Sequence, residues 1–233
     1  MAKIKENHVK RFMLEKKIKK ILFVVLLFIF LILLILYYTI GIIYNSGNFS
    51  VTLDRNLYFD KGLIIYDDKD YKVYRSELFA KTPESFDNIS HKWLPEGIDQ
   101  HEGGSHNGDN YLAYTFYVEN TGSDVSDYWN EVVIEDVIKN VDEAVRVRIY
   151  KNGEYVTYAK IGTDGQTEPH TVPFQDDKTI VLQHTENFKP GDIDKYTIVM
   201  WVEGSDPECT DNILGGEFKV HMQFNSEHVD EEK

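Results

Sequence analysis

The chain has 233 residues, of which 42% are hydrophobic and 27% charged, an average composition typical of one globular domain. Its net charge of −14 is unevenly distributed: residues 1–20 carry +6, residues 21–44 carry no charge, and residues 45–233 carry −20, from 17 basic and 37 acidic side chains. A basic head, an apolar segment and an acidic body exclude an ordinary cytosolic enzyme. The negative field of the body repels phosphate, so we expect no nucleic acid among its partners.

The apolar segment 21–44 predicts one transmembrane helix. At about 1.5 Å per residue it extends roughly 36 Å, enough for a hydrocarbon core of about 30 Å. Positive charges precede the segment and none occurs in residues 45–54. We therefore expect a single-pass protein of the plasma membrane, with its N-terminus in the cytoplasm and its body outside the cell. The alternative is a cleaved signal peptide, but the apolar region of such peptides is usually only about 7 to 15 residues long, so we favour an uncleaved signal anchor.

Alternating hydrophobicity predicts β-strands in the acidic body. Residues 145–150 place Arg146 and Arg148 on the face opposite the apolar side chains, and Asn152-Gly153 favours a tight hairpin to residues 155–160. The other predicted strands are 111–118, 179–183, 196–202 and 217–224, with weaker ones at 49–53, 63–66 and 71–74. Residues 128–145 are ambiguous. We expect a strand over 129–137 and a helical turn at 142–144, and the alternative is a helix.

Many short strands and few helical patterns predict a mainly β fold, an antiparallel jelly-roll or immunoglobulin-like sandwich preceded by one N-terminal transmembrane helix. The long segment 83–110 lacks periodicity, and long loops on such folds often carry binding sites. The expected organisation is a basic cytoplasmic segment (1–20), the transmembrane helix (21–44), membrane-proximal strands and the long loop (45–110), the sandwich core (111–225) and an acidic tail (226–233).

Two kinds of metal site come into consideration. His101 and His106 flank two glycines and are the candidates for a transition metal, although their spacing is five residues instead of the four that a helical zinc motif needs. Clustered carboxylates on predicted loops are candidates for a weak extracellular Ca²⁺ site, with solvated acidic loops as the alternative. The calcium candidates are Asp67, Asp68, Asp70, Asp206, Glu208 and Asp211.

The sequence contains no recognisable catalytic motif, neither a nucleophile elbow nor a phosphate-binding loop, so we assign no catalytic residue and no cofactor. Cys209 is the single cysteine, which rules out an internal disulfide. Its acidic neighbours are expected to raise the pKa of the thiol and to make it unreactive.

Several strand-and-turn segments carry a resemblance to a known family. They are residues 110–122, 141–153, 188–191, 196–204 and 206–209. These segments are similar to extracytoplasmic domains of Gram-positive bacteria, the TasA and camelysin-like surface proteins, and the similarity covers about residues 111–224. It implies a jelly-roll-like sandwich at the cell surface, in a family that includes biofilm matrix fibre subunits. Fibre-forming members are released by signal peptidase and camelysin-like members are classed as metallopeptidases. In contrast, we expect this chain to retain its apolar segment, and its sequence has no recognisable zinc motif.

These observations favour a non-catalytic surface protein whose outward domain binds another surface protein or an envelope polymer, or helps to assemble a surface structure. One alternative is a secreted fibre or matrix subunit that self-assembles after signal-peptidase cleavage. Another is a membrane-tethered, metal-dependent hydrolase whose site lies in residues 101–109.

Overall fold

The computed structural model describes residues 2–44, 48–70, 72, 75–81, 83 and 86–227. The chain divides into two compact units, residues 1–46 and 47–233. The predicted strand at 71–74 and most of the predicted acidic tail lie outside the described residues.

The first unit contains one long helix, α1 (Ala2–Tyr44). Within it, the 22 residues Lys17–Tyr38 are apolar enough to cross a membrane, and their length of about 33 Å is sufficient. Their side chains are exposed, including every Ile, Leu, Val and Phe from Ile21 to Leu36. An N-terminal helix able to span a bilayer is therefore present, as the sequence predicts.

The second unit is mainly β and contains two sheets, which confirms the predicted class. The five-stranded sheet has the order β10-β6-β12-β1-β3. Its strands are β1 (Phe49–Leu53), β3 (Glu77–Phe79), β6 (Ser126–Ile138), β10 (Thr179–Phe188) and β12 (Glu217–Asn225).

The seven-stranded sheet has the order β2-β5-β11-β7-β8-β9, and β4 pairs with β5 beside this path. Its strands are β2 (Leu63–Tyr66), β4 (Gly104–Ser105), β5 (Leu112–Asn120), β7 (Val145–Lys151), β8 (Glu154–Ala159), β9 (Val172–Pro173) and β11 (Ile193–Val202). The short helix α2 (Arg55–Lys61) and four 3₁₀ turns, His91–Trp93, Ile98–Gln100, Val141–Glu143 and Asp211–Ile213, complete the described elements.

The hairpin between β7 and β8 forms as predicted, with positive φ at Asn152 (54°) and Gly153 (91°). One expectation of the fold class is wrong, because the pairing is not antiparallel throughout. Strand β1 pairs parallel to β12, and β9 pairs parallel to β8. Side chains also connect β1 and β12, since Ser50 Oγ and Thr52 Oγ1 each lie 2.8 Å from a ring nitrogen of His221.

A single hydrophobic cluster connects the facing sides of the two sheets. At its centre, Phe116 of β5 stacks on Tyr196 of β11 at 5.4 Å and meets the edge of Phe224 of β12 at 6.0 Å between ring centroids. All three side chains are buried. Such aromatic contacts add to the stabilisation that the buried area already provides.

The seven-stranded sheet is also covered on its outer side. Residues 89–98 lie over this side, and their Ile89 and Ile98 pack against Tyr150, Val199 and Trp201. Strands β5 and β11 are consequently buried on both faces over most of their length. The long aperiodic segment is therefore a cover for this sheet.

We expect Phe116→Ala to lower the free energy of unfolding by about 3–5 kcal/mol, because the substitution leaves a cavity where the two sheets meet. Chemical denaturation of the protein measures this loss. Phe79→Ala is the matched control, since Phe79 is 48% exposed on β3, and it should cost less than about 1 kcal/mol. Equal losses for the two variants would contradict the proposed position of the core.

Candidate functional site

A polar cavity of about 360 Å³ opens on the outer side of the seven-stranded sheet. Its floor is formed by outward-facing side chains of β7, β8 and β11, among them Arg146, Arg148 and Trp201. One wall comes from segment 164–171 and another from His91, at the start of a 3₁₀ turn. Ligand pockets commonly have volumes of about 300–1,000 Å³, so the cavity is large enough for a small molecule.

Arg146 is the centre of a buried ion-pair cluster beside the cavity. Its Nη2 lies 2.5 Å from Asp206 Oδ2 and 2.8 Å from Glu168 Oε2, and the exposed fractions of the three side chains are 4%, 0% and 10%. The sequence pattern predicts that Arg146 faces away from the core. The structure places Arg146 on that face, but its side chain is buried there against Glu168 and Asp206.

Glu208 lies beside Asp206 and Glu168 and is hydrogen-bonded to Thr163, the residue before segment 164–171. Thr163 donates to Glu208 Oε1 from its amide nitrogen at 2.9 Å and from its hydroxyl at 2.5 Å. Burial, together with a hydrogen bond to Glu208, raises the pKa of Asp206 to about 6. The hydrogen bonds from Thr163 and the contact with Asp206 lower the pKa of Glu208 to about 2. Asp206 and Glu208 are therefore neighbours with different proton affinities, and Asp206 binds its proton more tightly.

Glu203 is a further buried carboxylate in the cavity wall. It accepts hydrogen bonds from Trp201 Nε1 at 3.0 Å, from the His91 amide at 2.9 Å and from Ser205 Oγ at 2.7 Å. Burial alone would raise the pKa of Glu203, but the hydrogen bonds outweigh it and hold the pKa below its ordinary value. This network fixes the cover, through His91, to β11.

The calcium candidates are only partly brought together. Ligand atoms of Glu168, Asp206 and Glu208 lie within 4.8 Å of one another, and Glu168 is not among the candidates predicted from the sequence. Arg146 already places a positive charge against two of these three carboxylates. In the described part of the chain, the other candidates, Asp67, Asp68, Asp70 and Asp211, belong to no such group.

Two of these other acids have local roles. Asp67 accepts a hydrogen bond from Tyr114 Oη at 2.6 Å and lies 3.6 Å from Arg75. Asp68 accepts from the amide of Asp70 at 2.9 Å, which stabilises the turn. Calcium binding at any of the six sequence candidates stays a prediction.

The histidine candidates do lie together, but as stacked rings. The His101 and His106 rings are 4.2 Å apart between centroids with 15° between their planes, and His106 Nε2 lies 2.9 Å from Thr115 Oγ1. Imidazole binds a metal through a lone pair in the ring plane, so parallel rings aim their lone pairs side by side. Burial, with help from His101 and Lys195, lowers the pKa of His106 to about 4. Metal binding here also stays a prediction.

Cys209 is half-buried close to the ion-pair cluster. Burial raises the pKa of its thiol, and Asp206, Asp87 and Glu203 raise it further. The acidic environment expected from the sequence is thus present around the thiol.

No family model matches the sequence, and no curated protein matches it either. Among solved structures, the chain is similar to a β-glucosidase from Kluyveromyces marxianus in complex with glucose, with 13% identity, a TM-score of 0.24 and coverage of 72% of this chain but 16% of the enzyme. The selenomethionine-labelled form of that enzyme matches with 11% identity, a TM-score of 0.25 and coverage of 61% and 16%. Similarity at this level carries no argument about fold or function.

We expect Arg146→Met to lower the free energy of unfolding by about 3–5 kcal/mol, because it leaves Glu168 and Asp206 buried without their counter-ion. Hydrogen exchange should also accelerate in segment 161–171. Denaturation and exchange measurements compare this variant with Arg55→Met, whose arginine is exposed at the start of α2. A loss below about 1 kcal/mol, with unchanged exchange, would show that the cluster does not hold the wall segment.

Proposed function

We propose that the chain is a membrane-anchored surface protein whose extracellular β domain binds an envelope or matrix component without catalysing a reaction. The observation that carries this proposal is the cavity on the outer side of the seven-stranded sheet, with its floor of arginine and tryptophan side chains and its fastened walls. A cavity of this size with many polar side chains in its lining suits recognition of a small polar group. The partner is then a surface protein or an envelope polymer.

The placement in the membrane is supported by helix α1 and by the charge distribution. Segment Lys17–Tyr38 is long and apolar enough to cross a bilayer, and eight basic residues lie within residues 1–20. An excess of positive charge favours the cytoplasmic side. We therefore propose a single-pass arrangement in the plasma membrane with residues 47–233 outside the cell.

We further propose that the two sheets form a sandwich of the jelly-roll kind, as in the TasA and camelysin-like proteins of Gram-positive bacteria. The shared cluster between the facing sides of the sheets supports a sandwich. The motifs behind this resemblance are strands and turns, so it extends to fold and surface location and includes no catalytic residue.

A second candidate function is assembly into fibres after release from the membrane. It is favoured by β10, a ten-residue strand that ends the five-stranded sheet and pairs with β6 among the described strands. An open edge of this length is able to add a strand from a partner. Mass spectrometry of the mature N-terminus separates the two candidates, because release requires a new N-terminus near residue 47 and anchoring retains Met1 or Ala2.

We expect Thr167→Trp to weaken binding of cell-envelope material, because Thr167 lines the cavity and an indole there fills it. The full chain in lipid nanodiscs is mixed with solubilised envelope fragments, and the retained material is quantified. Ser123→Trp is the matched control, since Ser123 is exposed and does not line the cavity. Retention by neither the wild type nor the variants would contradict the proposed function, and equal retention by all three would place the binding surface elsewhere.

A further inference from the structure

Arg148 differs from Arg146 and Glu203, two other charged groups that line the cavity. Arg146 is neutralised by Glu168 and Asp206, and Glu203 is fully engaged by donors. Among the residues that the structure describes, by contrast, no carboxylate forms an ion pair with Arg148. This is unusual in a body with a net charge of −20, where acidic groups outnumber basic ones by more than two to one.

The Arg148 side chain is nevertheless held in place. Its Nε donates to Thr157 Oγ1 at 2.9 Å, and its Nη1 lies 3.4 Å from Tyr150 Oη. The guanidinium carbon lies 4.5 Å from the ring centroid of Tyr155 and 5.2 Å from that of Trp201. Contacts with aromatic faces hold the guanidinium plane and leave N–H groups at its edge for another partner.

We propose, as an extension of the function proposed above, that Arg148 anchors the carboxylate of an acidic sugar in this cavity. A guanidinium held in one orientation presents parallel N–H donors that match the two oxygens of a carboxylate. The positive charge of Arg148 then finds in the ligand the counter-ion that the described residues do not provide.

The remaining lining favours a singly charged, hydroxyl-rich ligand over a phosphate. Four carboxylates also line the cavity, and they repel a doubly charged group more strongly than a single carboxylate. They are Asp164, Glu168, Glu203 and Asp206. Thr157, Gln166 and Thr171 supply hydroxyl and amide groups that exchange hydrogen bonds with sugar hydroxyls. Carboxylated sugar residues combine both properties.

The test uses the full chain in nanodiscs and titrates it with glucuronate or with glucose, its neutral counterpart. We expect glucuronate to bind at least about tenfold more tightly than glucose, since a charge-assisted pair contributes at least this factor. Arg148→Gln should weaken glucuronate binding by at least about tenfold. Arg148→Lys should weaken it too, because lysine keeps the charge but lacks the parallel N–H donors of the guanidinium. Arg55→Gln is the control and should bind as the wild type does.

Equal affinity for glucuronate and glucose, or no glucuronate binding at millimolar concentration, would overturn the proposal, and neither observation depends on a variant that folds. Unchanged glucuronate affinity in a folded Arg148→Gln would overturn it as well. If envelope fragments are retained equally by the wild type and Arg148→Gln, the proposed binding function stands and the acidic-sugar site is rejected. If the wild type retains no envelope material, the broader function fails.

Discussion

Burial of the seven-stranded sheet on both faces is the constraint on which the rest of the structure depends. The inner face of β5 and β11 meets the other sheet through Phe116, Tyr196 and Phe224. Their outer face would expose Val199 and Trp201 if residues 89–98 did not lie across it. The cover protects only part of that face. Beside the cover lies the cavity, which is lined by polar side chains of β7, β8 and β11.

The charges at this margin follow from the same burial. Arg146 is buried, so its guanidinium requires buried partners, and Glu168 and Asp206 provide them. Arg148 lies two residues further along β7 on the same face. It is outside this cluster and contacts aromatic rings instead. The two arginines thus have separate roles: one fixes the wall of the cavity, and the other is available to a ligand. Stability and binding should therefore respond to different substitutions.

Hydrophobic alternation was sufficient to predict β5, since Leu112, Tyr114, Phe116 and Val118 do share its core-facing side. It missed α2, whose start and end are marked by Asp54 and by Gly62 with φ of 73°, because seven residues are too few to show a helical period. The parallel pairing of β1 with β12 joins residues 171 positions apart, such as Ser50 and His221, and local patterns contain no information on such pairs. Arg146 and Arg148 look identical in the strand pattern, and only the fold, which brings Glu168 and Asp206 to one of them, distinguishes them.

The central claim is that the acidic β domain is presented outside the cell by an N-terminal membrane helix. Its most direct measurement is labelling of intact cells with a membrane-impermeant maleimide, in a Cys209→Ser background that carries either Ser123→Cys in the body or Lys5→Cys in the basic head. The account predicts that the cysteine at 123 is labelled in intact cells and that the cysteine at 5 is labelled only after the membrane is opened. Labelling at position 5 but not at position 123 in intact cells would contradict it.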